Sequence, residues 1–220
     1  MMIPKIVASI APGICLIAYF YLKDKDEPEP LKLIFRMFLL GAIFVFPLIV
    51  VQGLLNIMMP GVILQSFLVS GFTEEFIKWL IIYFFIYSHA EFDEHFDGIV
   101  YAVAVAGGYA TVENLFYIFL NKGDVGILIW IRAFLPVSAH VLFGVTMGYY
   151  FGKAKQTRLA RYLFIALLLP ALFHGMFNSL ILVSFEMAGI VIVLYMLFLW
   201  GYNIKKMNAA QRQQNRIGSR

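Results

Sequence analysis

The chain has 220 residues, 62% hydrophobic and only 14% charged, with a net charge of +4 and a mean hydropathy of +0.84. Soluble domains carry roughly 45–50% apolar and 25% charged residues, so composition excludes a water-soluble globule and implies an integral membrane protein. Cys15 is the single cysteine, which excludes a disulfide framework and a cysteine-based zinc site. The positive charge lies in loops and the tail, so it is no nucleic-acid signal, and no stretch alternates as the strands of a membrane barrel do.

In chain order, Ile3 to Leu22 is apolar and lacks a small-residue cleavage site, which predicts a first membrane helix and not a cleaved signal peptide. Glu27-Pro28-Glu29-Pro30 cannot be helical throughout, because proline keeps the residue before it out of the α region. A second helix is expected over Leu31 to Asn56, interrupted near Pro47. The third covers Pro60 to Tyr87, followed by an acidic loop, His89 to Asp97, expected to be solvated with His89 and His95. A fourth, Gly98 to Leu120, is rich in Ala and Gly, and small residues let membrane helices approach closely, so it belongs at the bundle centre. Asn121 to Asp124 reads as a turn. Further helices follow over Val125–Phe151, Tyr162–Ser184 and Ala188–Ile204, with a Gln- and Arg-rich tail expected to be disordered past Met207.

The expectation is an all-α membrane protein, a polytopic bundle of about seven transmembrane helices. One domain would span residues 1–207, and 208–220 would form a cytoplasmic tail. Lys23, Lys25, Lys32, Arg36, Lys153, Lys155, Arg158, Arg161 and the cations from Lys205 to Arg220 fall on one side of that bundle. The positive-inside rule then places the N-terminus outside and the C-terminus in the cytoplasm.

The chemistry concentrates in the third helix, where Glu74, Glu75 and Lys78 interrupt an apolar run. Each charge at mid-bilayer costs at least about 2.5–3.5 kcal/mol on insertion scales, so three in five residues require a reason. Glu74 and Lys78 are spaced i,i+4, which predicts that they pair and leaves Glu75 about 100° around the helix. At a similar depth lie His140 on the fifth helix, His174 and Asn178 on the sixth, and Glu113 and Asn114 on the fourth. Buried polar groups in lipid are expected to meet, so these predict one central polar cavity. A glutamate there could act as general base. His174 and Asn178 share a face and could stabilise an oxyanion, and His140 could orient the water.

Blander readings apply to several of these. His140 alone is equally compatible with capping a backbone carbonyl, and an i,i+4 His/Asn pair with simple helix–helix contact. Glu113 and Asn114 read as supporting residues, paired with Arg132 on the next helix. No His-Glu-x-x-His or Gly-x-Ser-x-Gly is present, so neither a metal nor a serine nucleophile is expected, nor any other cofactor. Metal catalysis is the nearest rival chemistry, because a zinc site of His140, His174 and a carboxylate is geometrically open although no spacing supports it. A proton- or cation-coupled transporter using the same buried acids is the alternative from another class.

Glu74-Glu75-x-x-Lys78, Phe92 to Tyr101, Ala110-Thr-Val-Glu-Asn114, Leu135-Pro-Val-Ser-Ala-His140 and His174-x-x-x-Asn178, in this order, resemble the PrsW family of bacterial intramembrane proteases. The likeness runs from Ala11-Pro12-Gly13 to about Lys205. It implies a glutamate-dependent membrane endopeptidase, distantly related to the CAAX-prenyl endopeptidases. Glu74 and Glu75 would be the catalytic pair, His140 a water-holding residue, and His174 with Asn178 the oxyanion site. The wider superfamily has its basic residue four positions after the second glutamate, whereas Lys78 is four after the first. Resemblance thus favours the first glutamate as base and helix geometry the second, so both stay candidates. The implied partners are membrane lipid and, as substrate, a single-span anti-sigma factor cut on its extracytoplasmic side, leading to release of a sigma-W-type sigma factor.

Overall fold

The computed structural model describes residues 3–24, 27–120, 125–182 and 188–218; the expected turn at 121–124 and the link at 183–187 lie outside them. The elements are α1 (Ile3–Tyr21), α2 (Leu31–Ile43), α3 (Val45–Met58), a short turn α4 (Val62–Leu64), a π-helical segment (Gln65–Phe72), α5 (Thr73–Phe85), α6 (Asp97–Leu120), α7 (Val125–Arg132), a second π segment (Ala133–Val137), α8 (Ser138–Thr157), α9 (Arg161–Leu182) and α10 (Ala188–Gly218). The described residues contain no strand. Five helical stretches are long and apolar enough to cross a membrane: Leu31–Met58, Asp97–Leu120, Gly126–Thr157, Arg161–Leu182 and Gly189–Gln213. α1 is apolar but shorter, and the stretch through α5 carries Glu74, Glu75 and Lys78. Large apolar side chains such as Ile57, Phe84, Ile127 and Phe164 point outward. On a soluble protein such a surface would aggregate, whereas in lipid it is the expected exterior.

The break between α2 and α3 falls at Phe44. Pro47 has no N–H to donate to Ile43, and its ring crowds that carbonyl, so the helix must restart. At the centre stands α6, buried at every residue from Asp97 to Thr111 and flanked by α1, α2 and α8. The expected role of its small residues is met at the backbone. A Cβ on Gly108 would lie 2.0 Å from the Phe38 carbonyl oxygen, and one on Gly148 of α8 would lie 2.1 Å from that of Gly98. Only glycine permits such contact, and dispersion between closely packed backbones is what holds helices together in lipid.

Two expectations fail at the basic end of the bundle. The chain past Met207 is helical, because α10 continues to Gly218. Met207 and Ala210 are buried in the core, Gln211 donates to the Lys23 carbonyl at 2.6 Å, and Gln213 meets His95 Nδ1 at 2.9 Å. Composition hides these contacts because they join distant parts of the chain. The 89–97 loop is likewise only partly solvated. His89 is exposed, but His95 and Asp97 are each 1% exposed. His95 Nε2 donates to the Tyr149 carbonyl at 2.8 Å, and Asp97 Oδ2 accepts the amides of Asp93 and Glu94 at 3.0 and 2.6 Å.

Glu29 is buried beside this loop and accepts a hydrogen bond from the Tyr101 hydroxyl. Desolvation outweighs that bond and, with the nearby Asp97 and Asp24 carboxylates, pushes Glu29 up to about 9. It is therefore neutral at physiological pH.

Two outcomes are expected from this packing. Gly148→Ala forces backbones apart, a cost of about 1–3 kcal/mol for overpacking, and should lower the melting temperature in detergent. Gly201→Ala, which meets nothing within 4 Å, should not. Because the folded protein keeps a proton on Glu29 that the unfolded chain releases above its ordinary 4.5, folding should weaken as pH rises from about 4.5 to 9. Glu29→Gln should flatten that slope in melting curves taken from pH 5 to 9.

Candidate active site

The acids with Lys78, and His140, are delivered by helices that begin in widened turns, whereas Glu113, His174 and Asn178 come from the regular helices α6 and α9. The π segment at 65–72 runs directly into α5, and the one at 133–137, containing Pro136, runs directly into α8. Such widened turns often mark functional sites. At Gly71 the first segment presses against α9, where an added Cβ would be 2.9 Å from the Gly175 nitrogen. That approach brings Glu74 and Glu75 up to His174.

Glu75 is fully buried, and its Oε1 takes two partners: Lys78 Nζ at 2.7 Å and His174 Nδ1 at 3.0 Å. Lys78, 1% exposed, also donates to His140 Nδ1 at 3.0 Å and sits 4.5 Å above the Tyr109 ring. An ammonium has no lone pair, so His140 accepts at Nδ1 and donates from Nε2 to Glu113 Oε2, 2.6 Å away. Glu113 continues to Arg132 at 3.7 Å, whose Nε donates to Asn114 Oδ1 at 2.8 Å. Asn114 in turn donates to the Ser9 carbonyl at 2.9 Å. A single polar chain thus links six helices, α1 and α5 to α9. Glu75 faces Lys78 and Glu113 faces Arg132, so two of the three carboxylates have a cation beside them within the site.

Glu74 stands apart from that chain. Its Oε1 accepts from Gln52 of α3 at 3.0 Å. Its Oε2 is buried without a hydrogen-bond partner and lies 3.9 Å from His174 Nε2. Both residues border a cavity of about 410 Å³ that Glu113, His140, Asn178 and Tyr109 also line. Asn178 is half-buried there, one turn from His174 on α9, with its carboxamide unengaged among the described residues.

The residues singled out in the sequence are therefore brought together: Glu74, Glu113, His140, His174 and Asn178 line one cavity, Glu75 and Lys78 lie buried behind its wall against His174 and His140, and Asn114 braces it through Arg132. The expected Glu74–Lys78 pair is not formed. Lys78 pairs with Glu75 at i,i+3, because Glu75 and His140 place two acceptors at one buried point, while Gln52 from outside the helix takes Glu74. Spacings of three and four residues put side chains on the same face equally well, so sequence alone does not separate them. Gln52 and Tyr109 are not among the residues that sequence reasoning selects. The available signal for Gln52 is a pair of amides, Gln52 and Asn56, four residues apart within the apolar run of α3.

Glu74, His140 and His174 each bring a potential ligand atom to within 4.8 Å of the others, a donor set of the kind that catalytic zinc uses. As placed, they do not fit a resident ion. Both nitrogens of His140 are engaged, by Lys78 and by Glu113, so only Glu74 Oε2 and His174 Nε2 remain open. A third donor requires Lys78 to withdraw.

A family model described as "PrsW family intramembrane metalloprotease" matches residues 29–202. The chain is 44% identical to "Protease PrsW" of Geobacillus kaustophilus over 94% of its own length and 92% of that protein's. It is 41% identical to the Bacillus subtilis protein of the same name over 94% and 95% of the two lengths. With that of Clostridioides difficile the identity is 34%, over 92% and 90%. No solved structure matches. These likenesses decide for peptide hydrolysis over the transport alternative. The chain belongs to the PrsW family of intramembrane proteases.

Proposed function

We propose that the chain makes the site-1 cut in a single-span membrane anti-sigma factor, using water activated by a glutamate and no metal. The observation that carries the mechanism is the 3.9 Å gap between Glu74 Oε2 and His174 Nε2 at the cavity wall. Both atoms can accept from one bridging water. Glu74 takes the proton as the water oxygen adds to the scissile carbonyl carbon, and that proton passes to the amide nitrogen as the C–N bond breaks. Asn178 supplies a neutral donor for the oxyanion, joined by His174 when its Nε2 carries a proton. Glu75, held by Lys78, keeps His174 oriented through Nδ1, and Glu113 does the same for His140.

This reading takes Glu74 as the base, since Glu74 borders the cavity and Glu75 does not, its Oε1 being held by Lys78 and His174. It also includes the topology of seven spans, counting α1 and the stretch from Val62 to Phe85 beside the five long apolar helices. The N-terminus is outside and the basic end cytoplasmic. Asn56, Ile181 and Tyr117 on the cavity wall lie toward the helix ends remote from the basic loops. That position suits cleavage on the extracytoplasmic side. The substrate class and the sigma-W-type pathway rest on the family relationship.

With purified protein and a reconstituted anti-sigma factor, Glu74→Gln should abolish cleavage, and Glu75→Gln should reduce it severely. Retained cleavage in both variants would sink the proposal. Chelation with phenanthroline should leave the rate within error, and no stoichiometric zinc should copurify; loss of activity restored by zinc would place His140 and His174 in the ligand role. Lys78→Met strands the Glu75 charge, a loss of about 3–5 kcal/mol for a buried pair. Adding Glu75→Gln should recover much of that in detergent melting curves. Glu74→Gln with Lys78→Met should not.

A further inference from the structure

The site contains one contact from outside the polar chain. Gln52 projects from α3, and its Nε2 lies 3.0 Å from Glu74 Oε1, 3.2 Å from the Val69 carbonyl and 3.3 Å from Thr73 Oγ1. A carbonyl and a carboxylate can only accept, so the nitrogen of the amide must face them. The Val69 carbonyl belongs to the π segment that precedes α5 and is also held by the Thr73 hydroxyl. The other α3 residues on the cavity are Val45 and Ile49, which have no polar side-chain atom, and Asn56, whose carboxamide has no partner among the described residues. Among the described residues, the side-chain hydrogen bonds from α3 to other elements are those of Gln52.

We propose that Gln52 is a positioning residue for catalysis, clamping the Glu74 carboxylate to the π segment so that Oε2 alone is left to work on the water. The inference rests on the reading of Glu74 as the base. The clamp selects between two chemically equivalent oxygens: Oε1 is occupied by the amide, and Oε2 is turned toward His174. It also makes α3, a helix with most of its surface turned outward, a part of the assembled site. If α3 leaves its seat, Glu74 loses its orientation even though its own helix stays in place. Misplacement of a reacting group by about 1 Å can cost on the order of 100-fold in rate.

The test compares Gln52→Met, which keeps length and volume but has no donor, with Gln52→His, whose ring N–H reaches a similar distance. In the full-length protein with reconstituted substrate, Gln52→Met should lower kcat about 10- to 100-fold, with KM within about twofold and an unchanged melting temperature. Gln52→His should restore most of the loss. An activity-independent arm uses infrared difference spectra of wild type against Glu74→Gln to isolate the Glu74 carboxylate stretch, which should shift in Gln52→Met. A Gln52→Met protein with wild-type kcat and an unmoved stretch overturns the clamp. So does one whose kcat falls only together with its melting temperature, or is not rescued by histidine. Cleavage that survives Glu74→Gln instead defeats the catalytic reading of Glu74, while the infrared shift still reports whether the clamp exists.

Discussion

A lysine ammonium buried in lipid-embedded protein needs acceptors on every side, and the site is built around meeting that need for Lys78. Glu75 supplies a carboxylate, His140 a lone pair and Tyr109 the face of its ring. Glu75 and His140 are thereby fixed in turn. Glu75 is held by its partner and spends the same oxygen on His174; His140 is held in the tautomer that donates to Glu113. In a medium of low dielectric, such interactions are strong when complete and very costly when broken. The consequence is that orientation of both histidines, and the closure of His140 to metal, descend from a single cation.

That arrangement requires helices close enough for side chains as short as glutamate and histidine to touch, and the backbone contacts around α6 provide it. Gly108 against Phe38 and Gly148 against Gly98 remove the layer of side chains that would otherwise separate the helices. The polar chain from Glu75 to Ser9 crosses the space so narrowed. Packing in the apolar body and hydrogen bonding in the site are therefore not separable: widening either glycine contact would lengthen polar contacts that tolerate little stretching.

Much of this is legible in the sequence because lipid makes polar residues conspicuous. Glu74, Glu75, Lys78, His140 and His174 stand out against apolar runs, and the demand that buried polar groups meet predicts their convergence before any coordinates. The small-residue face of α6 and the interruption at Pro47 are legible for similar reasons, each having one physical cause. The hidden part depends on partners distant in sequence. Lys78 chooses Glu75 over Glu74 because its Nζ reaches Glu75 Oε1 and the lone pair of His140, 62 residues on, at one point, while Gln52 takes Glu74. His95, Asp97 and the end of α10 look solvated by composition, yet His95 is enclosed by Gln213 and Tyr149, and Asp97 binds the amides of its own loop. Gln52, with Asn56 as the other amide of α3, gives too weak a pattern to mark a neighbour of Glu74.

The two π segments carry a last consequence, one of register. A π turn holds an extra residue relative to an α turn, and here each lies just upstream of chemistry: 65–72 before Glu74 and Glu75, 133–137 before His140. In a regular helix every residue added or removed swings the downstream side chains by about 100° and slides them about 1.5 Å. The widened turns therefore act as spacers that set the azimuth of the acids and of His140 independently of where their helices enter the membrane. Losing one residue from either spacer, with every polar side chain retained, would aim the acids or the imidazole at lipid or at a neighbouring backbone. The length of these two short segments is thus as much a part of the site as the identity of the residues that line it.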